Sequence, residues 1–124
     1  MTATVQKLLD GPRNAVFHVV GLGATVAQVI VDVITLAGNP SAVRVDKIKG
    51  STAGNGMKVN MAWDATADVT FMHIGANEDL NLDYCDIGGL QNNAGAGKTG
   101  DIVLTSSGDS LGTYALTVYC VKQA

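Results

Sequence analysis

The segment Met57-Lys-Val-Asn-Met-Ala-Trp63-Asp64 alternates apolar and polar residues more strictly than any other part of the chain. Its odd-numbered positions are all apolar and end at Trp63, whereas its even-numbered positions include Lys58, Asn60 and Asp64. A strand turns successive side chains to opposite faces, so a period of two is typical of a half-buried strand. The segment therefore predicts a strand whose core face ends in Trp63.

The same period of two recurs along most of the chain, and helical periodicity occurs almost nowhere. The predicted strands are residues 2–9, 15–20, 28–36, 42–49, 57–64, 68–74, 80–85, 101–106 and 114–121. Turns rich in glycine, proline and asparagine separate them. The last strand is apolar on both faces, which predicts that both of its faces are covered. Together these features predict an all-β, antiparallel β-sandwich of eight or nine short strands. A jelly roll is the leading subtype and a barrel the alternative.

Composition agrees with one strand-rich domain over residues 1–124. Hydrophobic residues make up 47% and charged residues 15% of the 124, a balance opposite to that of disordered chains. The 15 valines, 11 threonines and 6 isoleucines are β-branched residues, which favour strands. Within the domain, residues 1–12 are also compatible with an extended N-terminal arm, and residues 86–100 are predicted to form a long loop rich in glycine and asparagine.

The charge pattern excludes several partners. The net charge is −3, and the eight lysines and arginines are scattered singly, so no basic face for direct nucleic-acid binding is expected.

The first residues lack a charged segment followed by an apolar one, so no signal peptide is expected. Asp32 and two glycines interrupt the apolar stretch 15–38, which favours two strands over a membrane span.

The two cysteines, Cys85 and Cys120, form no CxxC pair and have no histidine close by in sequence. Each lies in an alternating segment. This placement predicts two small structural thiols of a cytosolic product, with a disulfide as the alternative.

Two segments resemble ligand-binding loops but lack their context. Residues 95–100 match GxGxxG and contain the Gly-Lys-Thr that ends a phosphate-binding loop, yet the following residues predict a strand where both motifs require a helix. Asp79, Asn81 and Asp83 have the spacing that opens a calcium loop, but the required glycine and distal glutamate are missing. We therefore expect neither a cofactor nor a bound metal.

Catalytic signals are equally weak. His18 and His73 lie within predicted strands, where a histidine usually faces solvent or is satisfied in the core, and neither GxSxG nor HExxH occurs. These features predict a protein that is not an enzyme. A carbohydrate-binding module remains an alternative. It requires an exposed aromatic platform drawn from Trp63, Tyr84, Tyr114 and Tyr119.

Five segments together carry a resemblance to a known group of proteins. They are Asp10-Gly-Pro-Arg-Asn-Ala-Val-Phe17, Met61-Ala-Trp-Asp-Ala-Thr-Ala-Asp68, Gly88-Gly-Leu-Gln-Asn-Asn93, Thr99-Gly-Asp-Ile-Val-Leu-Thr105 and Gly112-Thr-Tyr-Ala-Leu-Thr-Val-Tyr-Cys-Val-Lys122. In this order, and over nearly the whole chain, they resemble small β-sandwich virion structural proteins of tailed bacteriophages. The resemblance implies a non-enzymatic capsid decoration (cement) protein, or alternatively a tail or vertex accessory such as an adaptor, tube or fibre protein.

The resemblance also implies partners and a location. A decoration protein binds and stabilises the shell of the major capsid protein, as a homo-oligomer for which a trimer is favoured, and is found in the virion after synthesis in the host cytoplasm. We expect residues 86–100 and 2–9 to make the contacts, because both are poorly explained as core. The predicted partner-binding residues are Gln91, Asn92, Asn93, Lys98, Val5 and Leu8.

The same motifs also have local interpretations. Trp63 is expected to anchor the core at the end of its strand, and Asp10 to begin a turn. Lys122 is expected to end the last strand in solvent.

Overall fold

Nine strands account for most of the residues described by the computed structural model, which are 3–108 and 110–123. The strands are β1 (Thr4–Asp10), β2 (Asn14–Leu22), β3 (Thr25–Val31), β4 (Ala42–Ala53), β5 (Lys58–Trp63), β6 (Val69–Ile74), β7 (Asp79–Asp83), β8 (Ile102–Ser107) and β9 (Thr113–Gln123). Two single turns of 3₁₀ helix, Val33–Thr35 and Cys85–Ile87, lie between strands. Among the described residues, no helix is long and apolar enough to cross a membrane.

The strands form two antiparallel sheets. One has five strands in the order β1-β2-β9-β4-β7, and the other has four in the order β3-β8-β5-β6. Strand β5 pairs with β6, β4 with β7, β3 with β8 and β2 with β9. These nested pairs describe one long hairpin rolled into two sheets, which is the jelly roll. The predicted β-sandwich and its jelly-roll subtype are therefore confirmed.

The core lies between the two sheets and follows the predicted alternation. In β5, Val59, Met61 and Trp63 are fully buried, while Lys58 is exposed. The Trp63 ring stacks on Phe71 of the neighbouring strand, with their centroids 4.3 Å apart. Strand β9 lies at the centre of the five-stranded sheet between β2 and β4. Its inward residues are buried, whereas Ala115, Thr117 and Tyr119 on its outer face are half-buried, so the predicted covering of both faces is only partial.

The third strand differs most from its prediction. It spans Thr25–Val31 rather than 28–36, because Asp32 ends it and caps the following 3₁₀ turn. The Asp32 carboxylate accepts a hydrogen bond from the Ile34 N–H at 3.2 Å. An aspartate that bonds the backbone two residues ahead favours a turn over a continued strand.

The expected N-terminal arm is an edge strand instead. Strand β1 pairs with β2 along its length, and its register shifts between Lys7 and Leu9, leaving Leu8 as a bulge that is 58% exposed. Edge strands β3 and β6 also contain register shifts. Bulges twist an edge away from regular pairing and so reduce edge-to-edge aggregation. Residues 1 and 2 of the expected arm lie outside the described part of the chain.

Successive connections alternate between the two ends of the sandwich. One end holds residues 11–13, 32–41, 64–68 and 84–101, which include both of the long connections. We call it the motif end. The other holds residues 23–24, 54–57 and 75–78, and the described residues 108 and 110–112 between β8 and β9. We call it the short-turn end, because each of its connections has at most five residues.

Candidate functional site at one end of the sandwich

The five segments of the bacteriophage resemblance meet at the motif end, although they are far apart in sequence. Residues 88–93 lie wholly within it, and three of the other segments include part of its connections. The segment Gly112–Lys122 begins at the short-turn end and runs along β9 to the motif end. Two of the connections are short turns, and the others are the longest in the chain. Loops held on a rigid sandwich are where binding residues concentrate.

A buried lysine ties two of these connections to the last strand. The Lys122 side chain is 6% exposed, and its Nζ donates to the Asp10 carboxylate, to the Gly11 carbonyl at 2.6 Å and to the Ala37 carbonyl at 2.8 Å. The expectation that Lys122 ends its strand in solvent is therefore wrong. The ammonium is turned inward because three acceptors converge on it, as burial of a cation requires.

Asp10 is held from several sides as well. Its carboxylate pairs with Lys122 and, at 3.1 Å, with Lys7, and it accepts a hydrogen bond from the Ala37 N–H. The hydrogen bond from Lys122, followed by that from Lys7, lowers the pKa of Asp10 to about 2. The ion pair between Asp10 and Lys122 thus joins the end of β1 to the end of β9 at the motif end.

A second set of hydrogen bonds fixes the C-terminal part of the long loop, residues 96–99. The Thr99 hydroxyl donates to the Asp64 carboxylate at 2.8 Å, and the Thr99 N–H donates to the Asp64 carbonyl at 3.1 Å. The Thr66 N–H donates to the Ala96 carbonyl at 3.2 Å. Gly97 has φ +77°, and a Cβ there would lie 2.0 Å from the Thr66 hydroxyl oxygen, so only glycine fits at this crossing. The loop is laid directly on the β5–β6 turn.

The N-terminal part of the long loop is anchored on the core. This differs from the expectation that residues 86–100 are poorly explained as core. Leu90 forms an isolated bridge with Val45, with N–O distances of 3.1 and 2.7 Å. Ala94 is 6% exposed and belongs to the hydrophobic core. Between and beyond these anchors, Gln91, Asn93 and residues 95–99 remain exposed. The loop is therefore fixed by its anchors, and the residues between and after them remain accessible to a partner.

Two of the predicted contact residues share a cleft. Asn92 and Lys98 line an open cleft of about 520 Å³ together with Ser41, Ala42, Thr99, Gly100 and Gln123. The Gln123 side-chain amide donates to the Gln91 side-chain oxygen at 2.7 Å, which places Gln91 beside this cleft. Within the described part of the chain, the Asn92 Nδ2 is buried without a hydrogen-bond partner. Asn93 is exposed in the same loop.

The predicted contact residues of the first strand lie apart from this cleft. Val5 and Leu8 are on β1, the outer strand of the five-stranded sheet. Val5 is half-buried and packs against the core, because its partner Val19 faces inward. Only Leu8 is freely exposed. The structure therefore groups the loop residues and separates Val5 and Leu8 from them.

The aromatic residues do not form the exposed platform that a carbohydrate-binding module requires. Trp63 is fully buried, Tyr114 is 2% exposed, and Tyr84 and Tyr119 are half-buried. Tyr84 precedes the 3₁₀ turn after β7, whereas Tyr119 lies in the middle of β9. The four side chains therefore belong to different parts of the sandwich.

The histidines lie on the outer faces of opposite sheets. His18 Nδ1 lies 3.1 Å from the Thr117 hydroxyl, and His73 Nδ1 is hydrogen-bonded to the Asn60 side-chain oxygen. The partners of both rings are neutral. Each histidine is thus engaged by a cross-strand neighbour on its own sheet.

The polar segments and cysteines are placed as follows. Asp79, Asn81 and Asp83 alternate with half-buried leucines and face solvent. Within the described ranges, no group of three or more histidine, cysteine, aspartate or glutamate residues is arranged to hold a metal ion. Cys85 is exposed and Cys120 is buried, and both thiols are free. Residues 95–100 lead into strand β8, as predicted from the sequence.

Sequence reasoning missed one surface. The outer face of the five-stranded sheet exposes Leu9, Val20 and Leu22, at 48%, 45% and 38%. The signal was present in the sequence, because the outward positions of β2 are as free of charge as its inward positions.

No protein-family model and no curated protein matches the chain. A function for it must therefore be inferred from its own residues. The motif end supplies hydrogen bonds and an ion pair between distant segments, and an exposed loop held in place by such contacts.

Proposed function

We propose that this chain is a non-enzymatic bacteriophage virion structural protein that decorates the capsid and stabilises the shell of the major capsid protein. The observation that carries the proposal is the construction of the loop at the motif end. Its anchors Leu90, Ala94 and Thr99 are bonded or buried, while Gln91 and Asn93 between them are exposed. A preordered loop loses little conformational entropy when it binds.

Two further features support a binding role. The exposed part of the loop is mostly uncharged, as is usual at the centre of protein interfaces. The jelly roll itself occurs in capsid and lectin domains, so the fold is compatible with a particle component and does not specify one. The segments that carry the resemblance to tailed-phage virion proteins all reach the end that holds the loop.

In the proposed arrangement the motif end faces the shell. The protein is made in the host cytoplasm and added to the particle, where several copies, for which a trimer is favoured, bridge neighbouring coat subunits. Closed symmetric assemblies of this kind cover exposed apolar surface that a monomer leaves in water.

The location is tested on purified particles of the phage whose genome encodes the chain. An antibody against the chain is expected to label the whole capsid lattice. Labelling at one vertex only would instead assign the chain to the tail or its adaptor, and particles without label would contradict both assignments. Neighbouring genes for portal, coat and tail proteins are expected as well.

The contact surface is tested with point variants, because deleting residues 91–98 would also remove the buried Ala94. The double variant Asn93→Ala with Lys98→Glu is expected to weaken binding to undecorated capsids at least about tenfold, measured by co-sedimentation. The control is Lys58→Glu, which makes the same change of charge on an exposed residue of β5. Equal binding by the two variants would rule out the loop as the contact.

A further inference from the structure

The outer face of the five-stranded sheet has an uncharged centre formed by β2 and β9. Strand β2 contains no lysine, arginine, aspartate or glutamate, and the one charged residue of β9, Lys122, is turned inward. On this outer face Val16, Tyr119 and their neighbours are partly accessible. Depletion of charge and presence of an aromatic residue distinguish the centre of an interface from ordinary surface.

The lysines of this face lie on the adjacent strand β4, and the aspartates Asp79 and Asp83 lie beyond them on β7. Lys47 and Lys49 are two residues apart and so point to the same side, about 7 Å from each other. The Lys49 ammonium lies 5.9 Å from the centroid of the Tyr119 ring, within cation–π range. The Lys47 ammonium is 4.0 Å from the Asp83 carboxylate, a loose and exposed pair that holds it weakly. Both ammonium groups therefore remain accessible to a further anion.

The uncharged centre and the lysines border one open groove of about 370 Å³, which we call the outer groove. Leu9, Val16, Tyr119 and Lys47 are successive cross-strand partners in the register of the sheet, and all four line it together with Lys49. Three strand spacings of about 4.8 Å separate Leu9 from Lys47, or about 14 Å in total. An extended peptide covers this distance in about four residues.

The acidic residue at the groove does not cancel its positive charge. Asp46 lines the groove, but its carboxylate already accepts a hydrogen bond from the Arg44 guanidinium at 3.1 Å. The groove is thus apolar at the β1–β2 side and cationic at the β4 side. This division excludes a uniformly apolar occupant and favours one with an apolar and an anionic part.

We propose that the outer groove binds an extended segment of a partner protein. An apolar side chain of the segment packs over Leu9 and Val16, and a carboxylate about four residues away lies between Lys47 and Lys49. Charge complementarity selects an acidic segment in a protein whose overall charge is negative, because the two lysines are concentrated at this site. The proposal concerns a sheet face and does not depend on the role proposed for the loop at the motif end.

The test uses a short synthetic peptide, acetyl-Leu-Leu-Ser-Glu-Glu-amide, added to the full-length ¹⁵N-labelled protein. The expected result is a saturable change in the amide resonances of Val16, Lys47, Lys49 and Tyr119. A peptide with lysines in place of the glutamates is expected to leave these resonances unchanged. Binding of both peptides alike, or changes confined to other residues, would overturn the proposal.

A matched pair of variants distinguishes electrostatic binding of the peptide at the groove from non-specific binding. The double variant Lys47→Glu with Lys49→Glu is expected to lower the affinity for the acidic peptide at least about tenfold. The control Lys58→Glu with Val26→Glu and Thr70→Glu adds the same total negative charge at exposed positions of the four-stranded sheet, away from the groove, and is expected to bind as the wild type does. The spectra also report whether each variant is folded. Unchanged affinity in the first variant, or saturation by a neutral oligosaccharide instead of the peptide, would contradict an acidic protein segment as the occupant.

Discussion

The two ends of the sandwich are closed by different chemistry. At the short-turn end, small hydroxyl groups close the short connections from inside. The Ser106 hydroxyl donates to the Gly23 carbonyl at 2.8 Å, and the Thr52 hydroxyl donates to the Gly75 carbonyl at 2.5 Å. Within the described chain, the polar residues buried as whole residues are Thr25, Thr52 and Ser106, and all lie at this end, whereas Lys122 at the motif end buries its side chain.

The motif end is closed by charged side chains that reach between long connections. Lys122 and Asp10 join the last strand to the first turn, and Asp64 holds Thr99. The carbonyls of the short turns accept from neutral hydroxyls of neighbouring strands, 83 and 23 positions away, whereas the long connections are joined by charged side chains. The comparison shows that one end completes the core, while the other fixes a surface loop in an accessible position.

The largest expected effect tests whether the core extends beneath the motif end. Trp63→Ala removes a fully buried indole that stacks on Phe71, and we expect the free energy of unfolding to fall by about 3–5 kcal/mol. Guanidinium unfolding followed by circular dichroism measures it. As a control, Phe71→Leu, at a half-buried position, is expected to have a smaller effect. A loss below about 1.5 kcal/mol for Trp63→Ala would show that this end lacks a tight core.

The next effect tests the charged clamp. Lys122→Met keeps the length of the side chain but removes all three hydrogen bonds of the ammonium, so we expect a loss of about 2–3 kcal/mol. The exposed lysine Lys58, changed to Met, is expected to alter stability by no more than about 0.5 kcal/mol. Equal stability of the two variants in urea unfolding would mean that the clamp does not close the motif end.

A smaller effect is expected at the short-turn end. Thr52→Val preserves the shape of the side chain but removes the hydroxyl that donates to the Gly75 carbonyl. We expect the free energy of unfolding to fall by about 1–2 kcal/mol. Thr70→Val, at an exposed position of β6, is the matched control and is expected to be nearly neutral. If Thr52→Val proved as stable as the control, buried hydroxyls would not be what closes this end.

The smallest effect is the dependence of stability on acid. The pKa of Asp10 is lowered to about 2 in the folded protein from an ordinary value of 3.8. The carboxylate therefore contributes stability above about pH 4, and this contribution is lost as the pH falls towards 2. Thermal unfolding between pH 5 and pH 2 is expected to show a shallower decline for Asp10→Asn than for the wild type. Parallel curves would mean that Asp10 titrates alike in the folded and unfolded chains.

The strands and their faces were largely predictable from the sequence. The alternation around Trp63 assigned its core face correctly because a strand has a period of two whatever sheet it joins. The end of β3 was misplaced because the side chain of Asp32 competes with the strand for the backbone of Ile34. The alternating segments also predicted the number of strands, because the described residues form nine and the sequence indicated eight or nine.

The candidate site was predictable only in part. The loop containing Asn92 and Lys98 was recognisable from its glycines and its length, and these two residues do share a cleft. Val5 was assigned to the same contact surface because its segment looked unsupported, yet pairing with β2 turns it to the core. The face of a residue in an edge strand depends on its register with the next strand, which the local sequence does not specify.

The sequence by itself determined the fold class, because alternating β-branched segments separated by glycine turns have few stable arrangements other than a two-layer β structure. Only the tertiary structure decided which residues meet. Lys122 and Asp10 are 112 positions apart, and nothing near either of them indicates the other. Their contact exists because β2 lies between β1 and β9 in one sheet, so that the two strand ends emerge at the same place. Local periodicity sets the faces of the strands, and long-range pairing sets the neighbours.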